Sequence, residues 1–272
     1  MTTGVRITGA TRLYAIVGDP IAQAKSPEVF SARFAAAGID AVMVPVHVPA
    51  ARFDSIVPAL MEIANLDGVL ATVPFKARMT AFATRVGATV ECIGALNALR
   101  READGSWTGE MFDGAGFVRA AKRKQQRVLS RRVALFGAGG AGSAIACALA
   151  EAGVRSIHVI DVDASRAQAL VARLSRAFAS CAFEVASTPP HDVDMVVNAS
   201  PVGMRREDGL PGPIGELTAG TLVGDVVIVD EPTALIRDAT RCGCHFVDGR
   251  DMHAGQVDAI VDFFAQSARP HA

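Results

Sequence analysis

Short apolar runs rich in β-branched residues alternate along this chain with longer, alanine-rich stretches of helical spacing. That alternation predicts an α/β architecture built on parallel strands. In the first half the runs at 12–17, 41–46, 68–71 and 95–100 read as strands, with helices beginning near Pro27, Ala51 and Phe75. Ser26-Pro27-Glu28 has the make-up of a helix start: a serine cap, proline at the first helical position and an acid in the first turn. After a bridging helix over 114–129, a second series of strands is predicted at 132–136, 156–161, 193–198, 221–228 and 244–247, with 182–185 a weaker member. A final helix over 254–266 closes the pattern. The expected organisation is two-lobed, with a cleft between the lobes. Residues 1–110 form the first lobe and 111–249 the second, and a C-terminal helix within 250–272 packs back on the first.

A chain of 272 residues is long enough for two such cores. Its 27 basic and 28 acidic residues leave a net charge of -1, so no broad field gathers nucleic acid or an anionic membrane surface. The basic cluster from Arg119 to Arg132 is read as the coat of an exposed helix. Gly, Pro or charge interrupts every apolar run before about 18 residues, which argues against a membrane span. The first twenty residues lack the pattern of a signal peptide, and a cytoplasmic protein, monomer or homodimer, is expected. Five cysteines do not make a disulfide framework, and Cys242-x-Cys244 lacks a second ligand pair at finger spacing. No metal site is expected.

The sharpest motif is Gly137-Ala138-Gly139-Gly140-Ala141-Gly142, a G-x-G-x-x-G that follows the apolar run Val133–Phe136 and opens a small-residue helix. Strand before and helix after give it a mechanism. The glycines permit a tight turn and close backbone approach to a pyrophosphate, and the helix start offers N–H groups and partial positive charge. Asp161 ends the next strand, where a carboxylate can accept hydrogen bonds from ribose hydroxyls and repel a 2′-phosphate. NAD is therefore favoured as cofactor, with NADP kept open because Arg166 stands five residues further on.

A dinucleotide fold does not name a reaction. Six further segments in a fixed order do more: Gly18-Asp19-Pro20-Ile21-Ala22-Gln23-Ala24-Lys25-Ser26-Pro27, then Gly68-Val69-Leu70-Ala71-Thr72-Val73-Pro74-Phe75-Lys76, Gly94-Ala95-Leu96-Asn97-Ala98, and Gly109-Glu110-Met111-Phe112-Asp113-Gly114. Asn198-Ala199-Ser200-Pro201-Val202-Gly203-Met204 follows, and then Gly249-Arg250-Asp251-Met252 with Gln256. In this order they resemble the shikimate dehydrogenase family over nearly the whole chain. The resemblance implies an N-terminal α/β substrate domain, a Rossmann NAD(P)-binding domain, and hydride transfer between a ring alcohol and nicotinamide. It implies Lys76 and Asp113 as the catalytic pair. The substrate, a small cyclic hydroxy acid, would meet Ser26, Thr72, Asn97, Gln256 and the position of Ile228. The cofactor would meet Asn198, Ser200, Met204 and Gly249 besides the glycine turn, Asp161 and Arg166. Proton transfer explains the residue types, since the hydroxyl proton must leave as hydride leaves carbon. Lysine, with an ordinary pKa of about 10.4, needs desolvation or a nearby cation to act as a base near neutrality.

The departures from the family pattern are equally specific. A loop serine is Ala24, an asparagine is Leu70, the pair before the catalytic acid is Met111-Phe112, and a tyrosine falls on Ile228. Losing hydrogen bonds to a substrate carboxylate costs about 1.5–3 kcal/mol each. The expectation is an altered substrate preference with weak shikimate turnover. Two alternatives stand beside it: an ordinary shikimate dehydrogenase, and a non-catalytic dinucleotide-binding regulator on the same scaffold.

Overall fold

The structure, a computed structural model, describes residues 6–266. The chain divides into two compact units. One runs to Phe112 and resumes at Val257, and the other spans Asp113–Gln256.

In the first unit, apolar runs Arg12–Gly18 (β1), Ala41–His47 (β2) and Leu66–Ala71 (β3) pair in parallel with β1 central. Their helices are Ser26–Ala36 (α1) and Phe53–Met61 (α2). The sheet is mixed, where a parallel one was expected. Ala98–Arg101 (β5) runs antiparallel to β3, Trp107–Glu110 (β6) antiparallel to β5, and the two-residue Arg85–Val86 (β4) forms the far edge. The β5–β6 hairpin turns through Asp104-Gly105, with Gly105 at a φ of 85°. Asp-Gly is a strong hairpin signal that the reading of the apolar runs passed over.

Two helix expectations need correction. Ser26 does not cap α1: Lys25 holds the cap position without a side-chain bond, and Ser26 is the first helical residue with its side chain buried. No α-helix begins at Phe75. Its ring is fully buried against Phe53, 4.6 Å between centroids, and only a 3-10 turn, Arg78–Phe82, follows. The helical stretch in that region is Ala88–Ile93 (α3), ended by Gly94 in the left-handed conformation.

The second unit starts with Asp113–Arg123 (α4), which stops short of the expected 129. Then come Arg132–Phe136 (β7), Gly140–Glu151 (α5), Ser156–Ile160 (β8), Ala164–Ala177 (α6), Ala182–Val185 (β9) and Met195–Asn198 (β10). Leu222–Asp225 (β11), Ala234–Arg241 (α7), His245–Val247 (β12) and Gly249–Ala265 (α8) complete it. The strand order is β12-β11-β10-β7-β8-β9, parallel throughout. This is the doubly wound order of a dinucleotide-binding sheet, with its switch point between β7 and β10.

The basic cluster does not simply coat a helix. Arg119, Arg123 and Lys124 donate to the carbonyls of Gly255, Ala254 and Phe246, and Lys124 pairs with Asp251. Arg132 is held by Asp192 and Asp194. These cations are spent on holding elements together. Among the described residues no helix is long and apolar enough to cross a membrane.

The second half of α8 enters the first unit's core: Val257, Ile260, Phe263 and Phe264 pack with Tyr14, Phe30 and Phe34. Arg100, 9% exposed, secures that end. It donates to the carbonyl of Phe263 at 2.6 Å and pairs with Glu102 at 2.7 Å. Removing it would strand a buried carbonyl and a carboxylate, so Arg100→Ala should cost about 3 kcal/mol in urea denaturation. A loss under about 1 kcal/mol would show that this clamp contributes little.

Candidate active site

In the first unit, backbone hydrogen bonds gather the expected residues at one end of the sheet. Thr72 follows β3 and its N–H donates to the Val17 carbonyl of β1 at 3.0 Å, and the Phe75 N–H returns to the Thr72 carbonyl at 2.8 Å. This turn carries Lys76, half-buried, whose carbonyl accepts from the Leu96 N–H at 3.0 Å. Asn97 is 6% exposed and stands where three strands end. Its carbonyl accepts from Ala71, its N–H donates to Glu110, and its side-chain oxygen accepts from the Phe112 N–H at 2.9 Å. Asn97 therefore fixes the backbone immediately before Asp113. The departures also group: Ala24, Leu70 and Phe112 all pack on the same apolar cluster, with Leu70 only 4% exposed.

In the second unit Asp113 is the first residue of α4 and 3% exposed. Gln256 on α8 is also buried, and its Cβ lies 3.0 Å from where a Cβ on Gly116 would stand. The first turn of α4 therefore meets α8 at Gln256. Ile228, half-buried, packs beside Gly249, which itself sits hard against the Val226 and Val227 carbonyls.

β7 ends in the glycine turn. Gly137 has a φ of 101°, a conformation that disfavours side chains, and its N–H donates to the Ile160 carbonyl. Gly139 caps α5 in extended conformation with open space where its Cβ would be. Gly140 and Ala141 then open a twelve-residue helix whose first N–H groups lack helical partners. A diphosphate fits such a cradle on charge and space. Asp161 is drawn into the turn: it accepts from the Ala138 N–H at 2.6 Å and from the Asp163 N–H at 2.8 Å. The Arg166 side chain is largely exposed beside Asp163. Asp163 caps α6 through the Ser165 and Arg166 N–H groups, and the Arg166 guanidinium lies 3.3 Å from that same carboxylate.

Beside the turn, Asn198 organises the loop after β10. Its amide donates to the Val202 carbonyl and to Asp225, while its oxygen accepts from the Ser200 N–H and hydroxyl. Asp225, 1% exposed, also accepts from the Thr233 hydroxyl at 2.6 Å and the Val227 N–H. Met204 follows Gly203 in this loop and lines a cavity of about 270 Å³ with Arg205, Glu231, Thr233 and Arg237. Sequence reading missed Asp225 and Thr233. Thr233 was accessible as a cap before the apolar Ala234-Leu235-Ile236, but Asp225 fell inside the strand expected over 221–228.

A parallel sheet with a glycine turn at its switch point and an acid locked to that turn defines a dinucleotide-binding protein of the Rossmann class. The comparisons with known proteins make the class narrower. The family model for the shikimate dehydrogenase substrate binding domain matches residues 16–99, and the ThiF family model matches residues 115–171. The shikimate dehydrogenase (NADP(+)) of Rubrobacter xylanophilus is 34% identical over 254 residues, covering 91% of this chain and 88% of that protein. The crystal structure of shikimate 5-dehydrogenase from Listeria monocytogenes in complex with shikimate and NAD superposes with a TM-score of 0.83 at 26% identity, covering 98% of this chain and 96% of that one. Quinate dehydrogenase from Corynebacterium glutamicum in complex with NAD gives 0.81 at 28%, covering 94% and 95%. The chain belongs to the shikimate dehydrogenase family, and with it to the NAD(P)-using oxidoreductases.

Burial holds the Asp225 carboxyl above its usual pKa of 3.8, against the pull of its hydrogen-bond donors. The folded chain thus grips this proton more tightly than the unfolded chain. The cost of the buried charge is absent below pH 3.8 and fully felt above the folded-state value. Asp225→Asn should therefore gain thermal stability relative to wild type as pH rises from about 3.5 to 7. A gap that shrinks over that range would contradict the sign.

Proposed function

We propose that this protein oxidises a ring hydroxyl of a small cyclic hydroxy acid related to shikimate or quinate, or reduces the matching ketone, with NAD as the preferred nicotinamide cofactor. Retention of both Lys76 and Asp113 carries the reading, because a dinucleotide-binding regulator has no need of a proton-transfer pair. Lys76 and Asp113 handle the hydroxyl proton. Ser26, Thr72 and Asn97, on the unit that holds β1–β6, and Gln256, on α8 in the other unit, orient the substrate. The bound cofactor supplies the hydride-accepting ring. Its diphosphate would rest on Gly137–Ala141 and its ribose on Asp161, with Asn198, Ser200, Met204 and Gly249 bordering the rest. A cytoplasmic enzyme, monomeric or homodimeric, goes with this reading.

NAD is favoured for an electrostatic reason. Asp161 and Asp163 put two carboxylates past the end of β8, and Arg166 is already paired with one of them. A 2′-phosphate would meet net negative charge. The Rubrobacter relative is named for NADP(+), so the two proteins are expected to differ here.

The altered preference rests on substitutions that act together. Ala24, Leu70 and Phe112 carry one apolar cluster up to positions where the family places hydrogen-bonding side chains, and Ile228 removes a hydroxyl on the other unit. Loss of two carboxylate partners is worth about 3 kcal/mol, roughly 100-fold in affinity.

Steady-state kinetics over a panel of cyclohexane and cyclohexene alcohols with each cofactor test these points. Lys76→Ala and Asp113→Asn should each lower kcat by about 100-fold or more. Full activity in both would return the protein to the regulator reading. NAD should exceed NADP in kcat/KM by about 10-fold or more, with Asp161→Ser narrowing the gap, and a preference for NADP would overturn the electrostatic account. Shikimate should be turned over about 100-fold less efficiently than the best substrate; low-millimolar, robust shikimate turnover would make this an ordinary shikimate dehydrogenase.

A further inference from the structure

The turn that carries Lys76 is tied to the end of β1 by a single acid. Gly18 closes β1 so near that turn that a Cβ on it would lie 2.4 Å from Thr72 Cγ2 and 3.2 Å from the Val73 carbonyl oxygen. Asp19 follows, and its N–H donates to the Val73 carbonyl at 2.9 Å. Its carboxylate bonds the segment after β2. One oxygen accepts from His47 Nε2 at 2.8 Å, and the other accepts from the Ala50 N–H at 2.9 Å. The Ala50 carbonyl then accepts from the guanidinium of Arg78 at 3.0 Å, two residues beyond Lys76. These bonds close a circuit, from Val73 through Asp19 and Ala50 to Arg78 and back along the chain through Lys76.

Arg78 is held at three points. Besides the Ala50 carbonyl it pairs with Asp54 at 2.7 Å and lies over the Phe53 ring, 4.0 Å to the centroid. Phe53 packs on Phe75, the residue before Lys76. The Lys76 carbonyl accepts from the Leu96 N–H, so the backbone over 73–78 is fixed at both ends and in the middle. That matters for a lysine. Its stem is long and flexible, so the ammonium is placed only as well as the Cα that carries it.

On the reading that Lys76 serves the substrate hydroxyl, we infer that Asp19 is a positioning residue for the reaction. Its N–H and carboxylate secure both ends of the Lys76 turn, one directly and the other through Ala50 and Arg78. It acts through Lys76 and supplies no proton of its own. The carboxylate is kept ionised for this: His47, and then the Ala50 N–H, draw its pKa below the usual 3.8. The Asp19 and His47 side chains are 32% and 57% exposed, and a pair so open to water adds little to stability. Its worth shows in turnover.

Two measurements on the full-length protein test this. The first is steady-state kinetics on the best alcohol of the panel. Asp19→Ala and Arg78→Ala should each lower kcat by about 10-fold, with the cofactor KM kept within roughly 3-fold and the melting temperature within about 3 °C. Asp19→Asn keeps an acceptor for the Ala50 N–H and should return kcat to within about 3-fold of wild type. The double variant Asp19→Ala/Arg78→Ala should be little slower than either single one, because both cut the same circuit. Unchanged kcat in Asp19→Ala, or losses that multiply in the double variant, overturn the inference. The second is NMR of the protein with 13C-methylated lysines, the Lys76 signal being assigned by its loss in Lys76→Arg. In Asp19→Ala that signal should move while those of Lys122 and Lys124, on the other unit, stay in place. A stationary Lys76 signal overturns the inference, and Arg78→Ala gives the same reading should Asp19→Ala fail to fold. The spectrum needs no turnover, so it stands apart from the Lys76→Ala test of the reaction itself.

Discussion

The close approach of α4 to its neighbours is the constraint on which the acid half of the site depends. A Cβ on Gly114 would stand 2.0 Å from the Ala144 carbonyl oxygen on α5, and Gly116 is pressed as closely on α8. Either helix would have to move if these positions carried side chains. The glycine after Asp113 looks, in the chain, like half of a turn dipeptide. In the fold it is a packing contact that keeps the carboxylate buried at a helix start. Arginines 119 and 123 then tie α4 to α8 along its length.

A second layer of order supports the dinucleotide side. The Asn198–Asp225–Thr233 network is almost wholly buried and uses each polar group more than once. It joins the end of β10, the end of β11 and the start of α7, which are far apart in sequence and adjacent at the switch point. Such a network shapes the loop through Ser200 and Met204. At the β8 end, Asp161 is held by the Ala138 N–H of the glycine turn and by the Asp163 N–H of its own loop, which fixes its carboxylate.

Family membership and substrate choice rest on different residues. The scaffold-setting positions keep the family's types, among them Asn97, Asn198 and the glycine turn. The departures at Ala24, Leu70 and Phe112 lie on one cluster with Phe263 and Phe264 of α8. Exchanging polar for apolar side chains there costs the fold little, because the cluster simply grows. The proposed change of substrate preference rests on the same exchange, which would remove hydrogen bonds from a ligand while stability is kept.

Local chemistry determined much of this protein from the sequence alone. Apolar periodicity located most of the strands, and the glycine turn with Asp161 marked the dinucleotide site, because period and backbone conformation are properties of neighbouring residues. Ordered short motifs identified the family. Long-range packing decided the rest. It made Phe75 a core residue instead of a helix start and turned the basic cluster into helix clamps. It also set Gly116 of α4 against Gln256 of α8, 140 positions apart in the chain, and no local pattern could show that. Contacts of that kind depend on which backbones can approach, and only the folded chain settles where two glycines leave room.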